Sequence, residues 1–303
     1  MAKQSIYCRG KLLISGAYGV LDGATGFAIP TRLGQVFDFD TPTTTGLISA
    51  RAYDLENKPW MEASFKAVDF SPIKQETDKQ SSMLSKLFKA ARSLNADFGT
   101  QGFTLSSKLE FNRYWGLGSS STLVAAVAKY AQVDPYKLLD LSFTGSGYDI
   151  ACAYTEGPIL YSRNQSEIVV QHIEWKPKFT DQLYLVYLNE KMNSREAISH
   201  YREKLSSEQF IQELSSYSIE ISKETASLEH FESLLNKQEA LLSSRLNLPT
   251  IKQSRFTDLP EGVITSLGAW GGDFALFTRQ KNIPYLKDKG YQTILPLSEL
   301  CLF

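Results

Sequence analysis

Apolar positions change period along this chain, and the changes mark out its elements. Lys11-Leu12-Leu13-Ile14-Ser15 is a short apolar run that breaks at Gly16, which predicts a strand, and Leu21-Asp22-Gly23 predicts a turn before Phe27-Ala28-Ile29. From Ser81 to Asn95, Met83, Leu84, Leu87, Phe88, Ala91 and Leu94 recur at helical spacing, with Ser81 or Ser82 as the expected cap. A polar stretch, Trp175-Lys176-Pro177-Lys178, precedes a new apolar run from Leu183 to Leu188. Ser206 with Gln209 three residues on matches a capping box, and Phe210, Leu214, Tyr217, Ile221, Leu228, Phe231, Leu235 and Leu242 continue a helical stripe to about Asn247. One long helix or two consecutive ones satisfy that stripe. Its flanking charges are too irregular for a coiled-coil seam, so it reads as core packing. The mixture of strand and helix periods predicts an α+β chain, and 303 residues suffice for two cores. The composition shift puts the boundary near residue 175, giving domains 1–175 and 176–303.

Composition narrows the function classes. A hydrophobic fraction of 43% supports a sizeable core and excludes disorder for the chain as a whole. Thirty-two basic against thirty-three acidic residues leave a formal net charge of −1, which supplies no field to attract nucleic acid or an anionic membrane. Cys8, Cys152 and Cys301 are odd in number and far apart, with no C-x-x-C pair, and read as reduced thiols. His172, His200 and His230 lack partners at metal-ligand spacing. No apolar run precedes Arg9 and Lys11, so a secretory leader is not expected, and no stretch has the roughly 18 apolar residues of a membrane helix. The expected location is the cytoplasm.

Three glycine clusters are the candidate chemistry. Trp115-Gly116-Leu117-Gly118-Ser119-Ser120-Ser121-Thr122 runs into the small-residue helix pattern Leu123 to Tyr130. Glycines let a backbone approach a ligand, a helix start offers unpaired N–H groups and a positive dipole end, and hydroxyls add donors or a metal ligand, so this is a phosphate cradle. It lacks the lysine of a P-loop. A capped helix after a flexible turn is the plainer reading. Gly145-Ser146-Gly147-Tyr148-Asp149 sets an acid after a tight turn, where it serves equally as a helix N-cap or a general base. Gly268-Ala269-Trp270-Gly271-Gly272-Asp273 lies between two strand-like segments, as a hairpin turn would.

Taken in order with Gly10-Lys11-Leu12-Leu13-Ile14-Ser15-Gly16-Ala17-Tyr18-Gly19-Val20-Leu21, these clusters resemble the successive motifs of the GHMP kinases. The wording Leu-Ile-Ser-Gly-x-Tyr-x-Val-Leu and Gly-Ser-Gly-Tyr-Asp is most similar to the phosphomevalonate kinase branch. Asn189 to Glu196 and Leu234-Leu235-Asn236-Lys237-Gln238 also resemble stretches of that branch's second half. The resemblance spans nearly the whole chain. It implies a two-domain architecture, with an N-terminal mixed α/β nucleotide-binding domain and a C-terminal ferredoxin-like domain. It further implies ATP-dependent phosphorylation of a small acidic metabolite, phosphomevalonate or mevalonate.

By the same resemblance, Gly116, Leu117, Gly118, Ser119, Ser120 and Ser121 form the phosphate loop, and Ser120 is a Mg²⁺ ligand. Lys11 approaches the transferred phosphoryl group, and Asp149 faces the acceptor. Gly268, Ala269, Gly271 and Gly272 close over the site. The implied partner is a small acidic substrate, with neither nucleic acid nor membrane, and a homodimer is compatible with it. Departures from the family wording are also present. Ala17 stands in place of a glutamate, Trp270 in place of a glycine, and Phe111-Asn112-Arg113 lacks a proline. Only twenty-seven residues separate Ser121 from Asp149, where relatives carry a helix with an acidic Mg²⁺ ligand; Asp134 and Asp140 are the acids available there. A degenerate relative that senses nucleotide or metabolite without turnover is the competing reading.

Overall fold

The computed structural model describes residues 3–42, 44–73, 79–165, 167–190, 199, 201–203, 206–268, 270 and 272–303. The chain packs as two compact units, each assembled from separated segments. One comprises Met1–Gly10, Leu33–Arg113 and Leu117–Tyr154, and the other Lys11–Arg32, Tyr114–Gly116 and Thr155–Phe303. Strands β1 (Gln4–Ser15) and β2 (Gly26–Asp40) contribute residues to both.

In the first unit, β3 (Leu47–Tyr53) and β4 (Pro59–Lys66) form an antiparallel hairpin. Alternation fixes its facing, since Ile48, Ala50 and Ala52 are buried while Arg51 is exposed. The carboxylate of Asp54 closes the turn by accepting from the amides of Glu56 at 2.9 Å and Lys58 at 2.8 Å. Strand β5 (Phe103–Leu109) runs parallel to β3, with Ile48 opposite Phe103, and antiparallel to β2, with Gln35 opposite Leu109. Helices α1 (Lys79–Leu94), α2 (Ser119–Ala131), α3 (Pro135–Ser142) and α4 (Tyr148–Ala153) complete the unit, with α1 packed on α3 and α2 on α4. Aromatic rings fill the core, among them Phe39 stacked on Tyr130 with centroids 4.0 Å apart. Helix α1 corrects one expectation. Ser81 and Ser82 lie inside its first turn, because Lys79 and Gln80, both good helix formers, are already helical.

In the second unit, residues 26–28 of β2 pair with β6 (Ile159–Arg163), which pairs in turn with β7 (Ile168–His172). Trp175, at the composition shift, is fully buried and meets the rings of Phe27 and Phe303 edge-on at 5.2 and 5.1 Å. After it comes β8 (Leu183–Tyr187), then helices α5 (Glu208–Lys223), α6 (Leu228–Leu246) and α7 (Ile251–Arg255). Strands β9 (Ile264–Ser266) and β10 (Phe274–Thr278), helix α8 (Ile283–Asp288), strand β11 (Ile294–Pro296) and helix α9 (Leu297–Leu300) follow. The sheet order β11-β8-β10-β9, antiparallel throughout, is the ferredoxin-like arrangement.

The long stripe after residue 206 is two helices, and in place of the capping box expected at Ser206 there is a simple N-cap one residue on, with Phe210 at the position a glutamine would need. Ser207 caps α5, accepting from the amide of Phe210 at 3.1 Å, while the Ser206 hydroxyl donates to the Asp22 carboxylate at 2.5 Å. Two adjacent serines offer the same chemistry, and the Asp22 contact decides between them. Glu224 makes the break between α5 and α6. Its carboxylate accepts from the amides of Ser227 at 2.8 Å and Ala226 at 2.9 Å, bonds that hold its pKa below the usual carboxylate value. All three cysteines are free and buried. His172 is exposed on β7, His230 pairs with Glu224, and His200 lies outside the described residues. Among the described residues no helix is long and apolar enough to cross a membrane.

Candidate functional site

The glycine-serine cluster folds as its composition requires. Gly116 and Gly118 take left-handed φ values of 67° and 90°, and Gly118 is the N-cap of α2. The first amides to find an intrahelical acceptor are those of Ser121 and Thr122, both bonded to the Gly118 carbonyl at 3.0 Å. This leaves the amides of Ser119 and Ser120 at the open end of a thirteen-residue helix, where an anion is favoured. The Ser120 side chain is exposed, Ser119 is half-buried and Leu117 is buried as an anchor. Thr122 locks the helix to the sheet of this unit by donating to the Gln35 side-chain oxygen at 2.8 Å, and Gln35 donates onward to Ser107. The alanine-rich face of α2 allows this close seating, with Ala125 and Ala126 fully buried.

Asp149 joins this loop within the first unit. It is the second residue of α4, whose N-cap is Gly147 at φ 92°, so the N-cap alternative for Asp149 does not hold. Its carboxylate accepts instead from the Ser121 hydroxyl at 3.1 Å. The two intervening acids sit differently. Asp134 caps α3, accepting from the amides of Tyr136 and Lys137, while Asp140 is exposed on α3. Among the described residues no group of three or more His, Cys, Asp or Glu side chains could hold a metal. The oxygens available here, the Ser120 hydroxyl and the Ser121–Asp149 pair, are nevertheless the hard donors that suit Mg²⁺, which keeps most of its waters and takes few protein ligands.

The second unit gathers the remaining motif residues. The Lys11 ammonium donates to the Gly116 carbonyl at 3.0 Å. The Asp273 carboxylate occupies the space where a Cβ on Gly116 would lie. The last turn is pinned to the first motif, since the Trp270 amide donates to the Tyr18 hydroxyl at 2.7 Å, and the Trp270 indole donates to the Pro249 carbonyl at 3.0 Å. Tyr18 is buried at φ 60°, and burial raises the pKa of its phenol. Gly268 has φ 69° with open space around it and Gly272 is buried, while Ala269 and Gly271 lie outside the described residues. Gly116→Ala is expected to cost about 2 kcal/mol or more, since it combines a strained left-handed residue with overlap on Asp273. Urea denaturation of the variant checks this.

One buried group at the edge of this cluster escaped the sequence reading. Glu239 falls on the apolar stripe between Leu235 and Leu242, and that position is the only signal the sequence offers. Burial pushes its pKa up to about 7, opposed by hydrogen bonds from the Thr265 hydroxyl and the amides of Ile251 and Ser266. A folded-state value above the unfolded one, near 4.5, means that stability from this group is complete below about pH 4.5 and is lost as pH rises through 7. The melting temperature is expected to fall between pH 5 and 8, and Glu239→Gln to flatten that fall.

No family model and no curated protein sequence matches the chain. Solved structures do match. A Streptococcus pneumoniae phosphomevalonate kinase in complex with phosphomevalonate and AMPPNP superposes with a TM-score of 0.68 at 17% identity, covering 97% of this chain and 99% of that one. The GHMP kinase fold is therefore the fold of this chain. Methanococcus jannaschii mevalonate kinase gives 0.66 at 15% identity with 97% of each chain covered, and Lactococcus lactis galactokinase complexed with galactose gives 0.64 at 14%, covering 99% and 93%. These GHMP kinase structures share the architecture while their named substrates differ, so specificity has to be sought in this chain's own residues.

Proposed function

We propose that the protein is an ATP-dependent small-molecule kinase that transfers the γ-phosphoryl group to phosphomevalonate or mevalonate. The observation that carries this reading is the bond between Ser121 of the loop opening α2 and the Asp149 carboxylate, which joins a phosphate cradle to a candidate acceptor-facing acid. In this reading the loop from Gly116 to Ser121 receives the nucleotide phosphates, on the open amides of Ser119 and Ser120, and Gly268 to Gly272 cover the nucleotide. Lys11 offsets negative charge on the migrating group, and Asp149 aligns the acceptor and takes its proton where that acceptor is an alcohol. Positioning and charge stabilisation carry most of the catalysis in such transfers, so this short set of groups is sufficient. Ser120 would be the principal protein donor to Mg²⁺, which when bound neutralises phosphate charge. Coupled ADP release from purified protein, assayed against mevalonate, phosphomevalonate, homoserine and a panel of sugars, tests the reading. ATP binding without ADP release on any acceptor would favour a nucleotide sensor.

A further inference from the structure

The first glycine motif and the strand that leads into the last glycine turn are both fastened to one helix by two consecutive side chains. Gln238 on α6 is almost fully buried, and its oxygen accepts from the Gly16 amide at 3.1 Å and from the Ser15 hydroxyl. Ser15 also meets Ser218 of α5 at 2.7 Å. Gly16 sits at φ 90° with the backbone of Thr25 and Gly26 so close that no side chain fits, so this turn has one conformation to hold. The next residue, Glu239, accepts from the Ser266 amide at 3.0 Å and the Thr265 hydroxyl on β9, and from the Ile251 amide that opens α7 at 3.1 Å. β9 leads directly into Gly268–Asp273, and the Gly16 turn leads directly into Tyr18, which receives the Trp270 amide. A buried polar side chain that spans two elements fixes their spacing, because moving either element leaves a donor unpaired.

We propose that Gln238 and Glu239 are positioning residues of the kinase, a two-residue clamp on α6 that sets the first motif, with Lys11 and Tyr18, against the last turn, with Trp270 and Asp273. This rests on the functional reading above. The charged side chains on α7 are engaged elsewhere, Lys252 on the Gly262 carbonyl and Arg255 with Glu190, and Lys237 is exposed on α6, so the clamp acts through hydrogen bonds rather than ion pairs. The nucleotide loop from Leu117 to Ser121 belongs to the other packing unit and is not part of it.

Two readouts on the 303-residue chain test the clamp. Amide hydrogen exchange of Gln238→Met, which keeps side-chain length but loses the acceptor, is expected to quicken about tenfold at Gly16. Exchange in α2 stays unchanged, and Gln238→Glu, which keeps an acceptor, restores protection. Glu239→Gln quickens exchange at Ser266 or Ile251 in the same way. In turnover, Gln238→Met is expected to lower kcat by about 10- to 100-fold, with KM for ATP within about threefold of wild type. If Gln238→Met does not fold, Ser15→Ala takes its place with kcat as its readout, since it removes one bond to Gln238 and keeps that of the Gly16 amide, and a wild-type kcat in it would overturn the clamp. Unaltered exchange at Gly16, exchange quickened uniformly along the chain, or local quickening with wild-type kcat would each overturn the clamp. A wild-type protein that releases no ADP overturns the kinase reading instead, and the exchange pattern then decides the clamp by itself.

Discussion

Asp149→Asn is expected to lower turnover by about 10²- to 10⁴-fold with mevalonate and by much less with phosphomevalonate. An alcohol acceptor must lose its proton during transfer, and in the proposed reaction the carboxylate beside Ser121 would take it. A phosphate acceptor is largely dianionic at neutral pH, its second pKa being about 6, so it needs alignment more than deprotonation. Asparagine keeps the size and one oxygen to accept from Ser121, so the variant isolates the charge. Lys11→Met is expected to lower turnover with both acceptors, since it removes a cation and also the anchor to the Gly116 carbonyl. Steady-state rates for both variants with each acceptor, beside melting curves that establish folding, decide between the two substrates.

Gly118→Val is expected to weaken ATP binding at least tenfold. Gly118 holds φ 90°, where any side chain costs about 1–2 kcal/mol, and a β-branched one is stiffer still. The valine would also stand beside the Ser119 and Ser120 amides, in the space a phosphate needs to reach them. Calorimetry on a folded variant checks this, and unchanged affinity would mean that the phosphates bind elsewhere.

Much of the fold was legible because periodicity is local. The stripe from Met83 to Leu94 is the helix α1, and the run from Leu183 fills a buried strand. The strand-like segments flanking Gly268–Asp273 form the hairpin that their spacing implied. Boundaries were less legible where neighbouring residues share one chemistry, as at Ser206 and Ser207, or where good helix formers extend an element past its first serine, as at Lys79. Within the site, each glycine cluster was visible as a turn, but their meetings were not. Trp270 finds Tyr18, Asp273 fills the space left by Gly116, and Gln238 caps the Gly16 amide across intervals that carry no period. Such contacts are set by how strands and helices stack, and a single sequence records only that glycine, and no larger residue, stands where the backbone is crowded.

The central claim is phosphoryl transfer to a small acidic acceptor, and coupled ADP release by the wild-type protein under saturating ATP and Mg²⁺ tests it most directly. Release is expected to depend on phosphomevalonate or mevalonate and to be strongly reduced in Lys11→Met. Release with neither acceptor, or release driven equally by a sugar or homoserine, would contradict it.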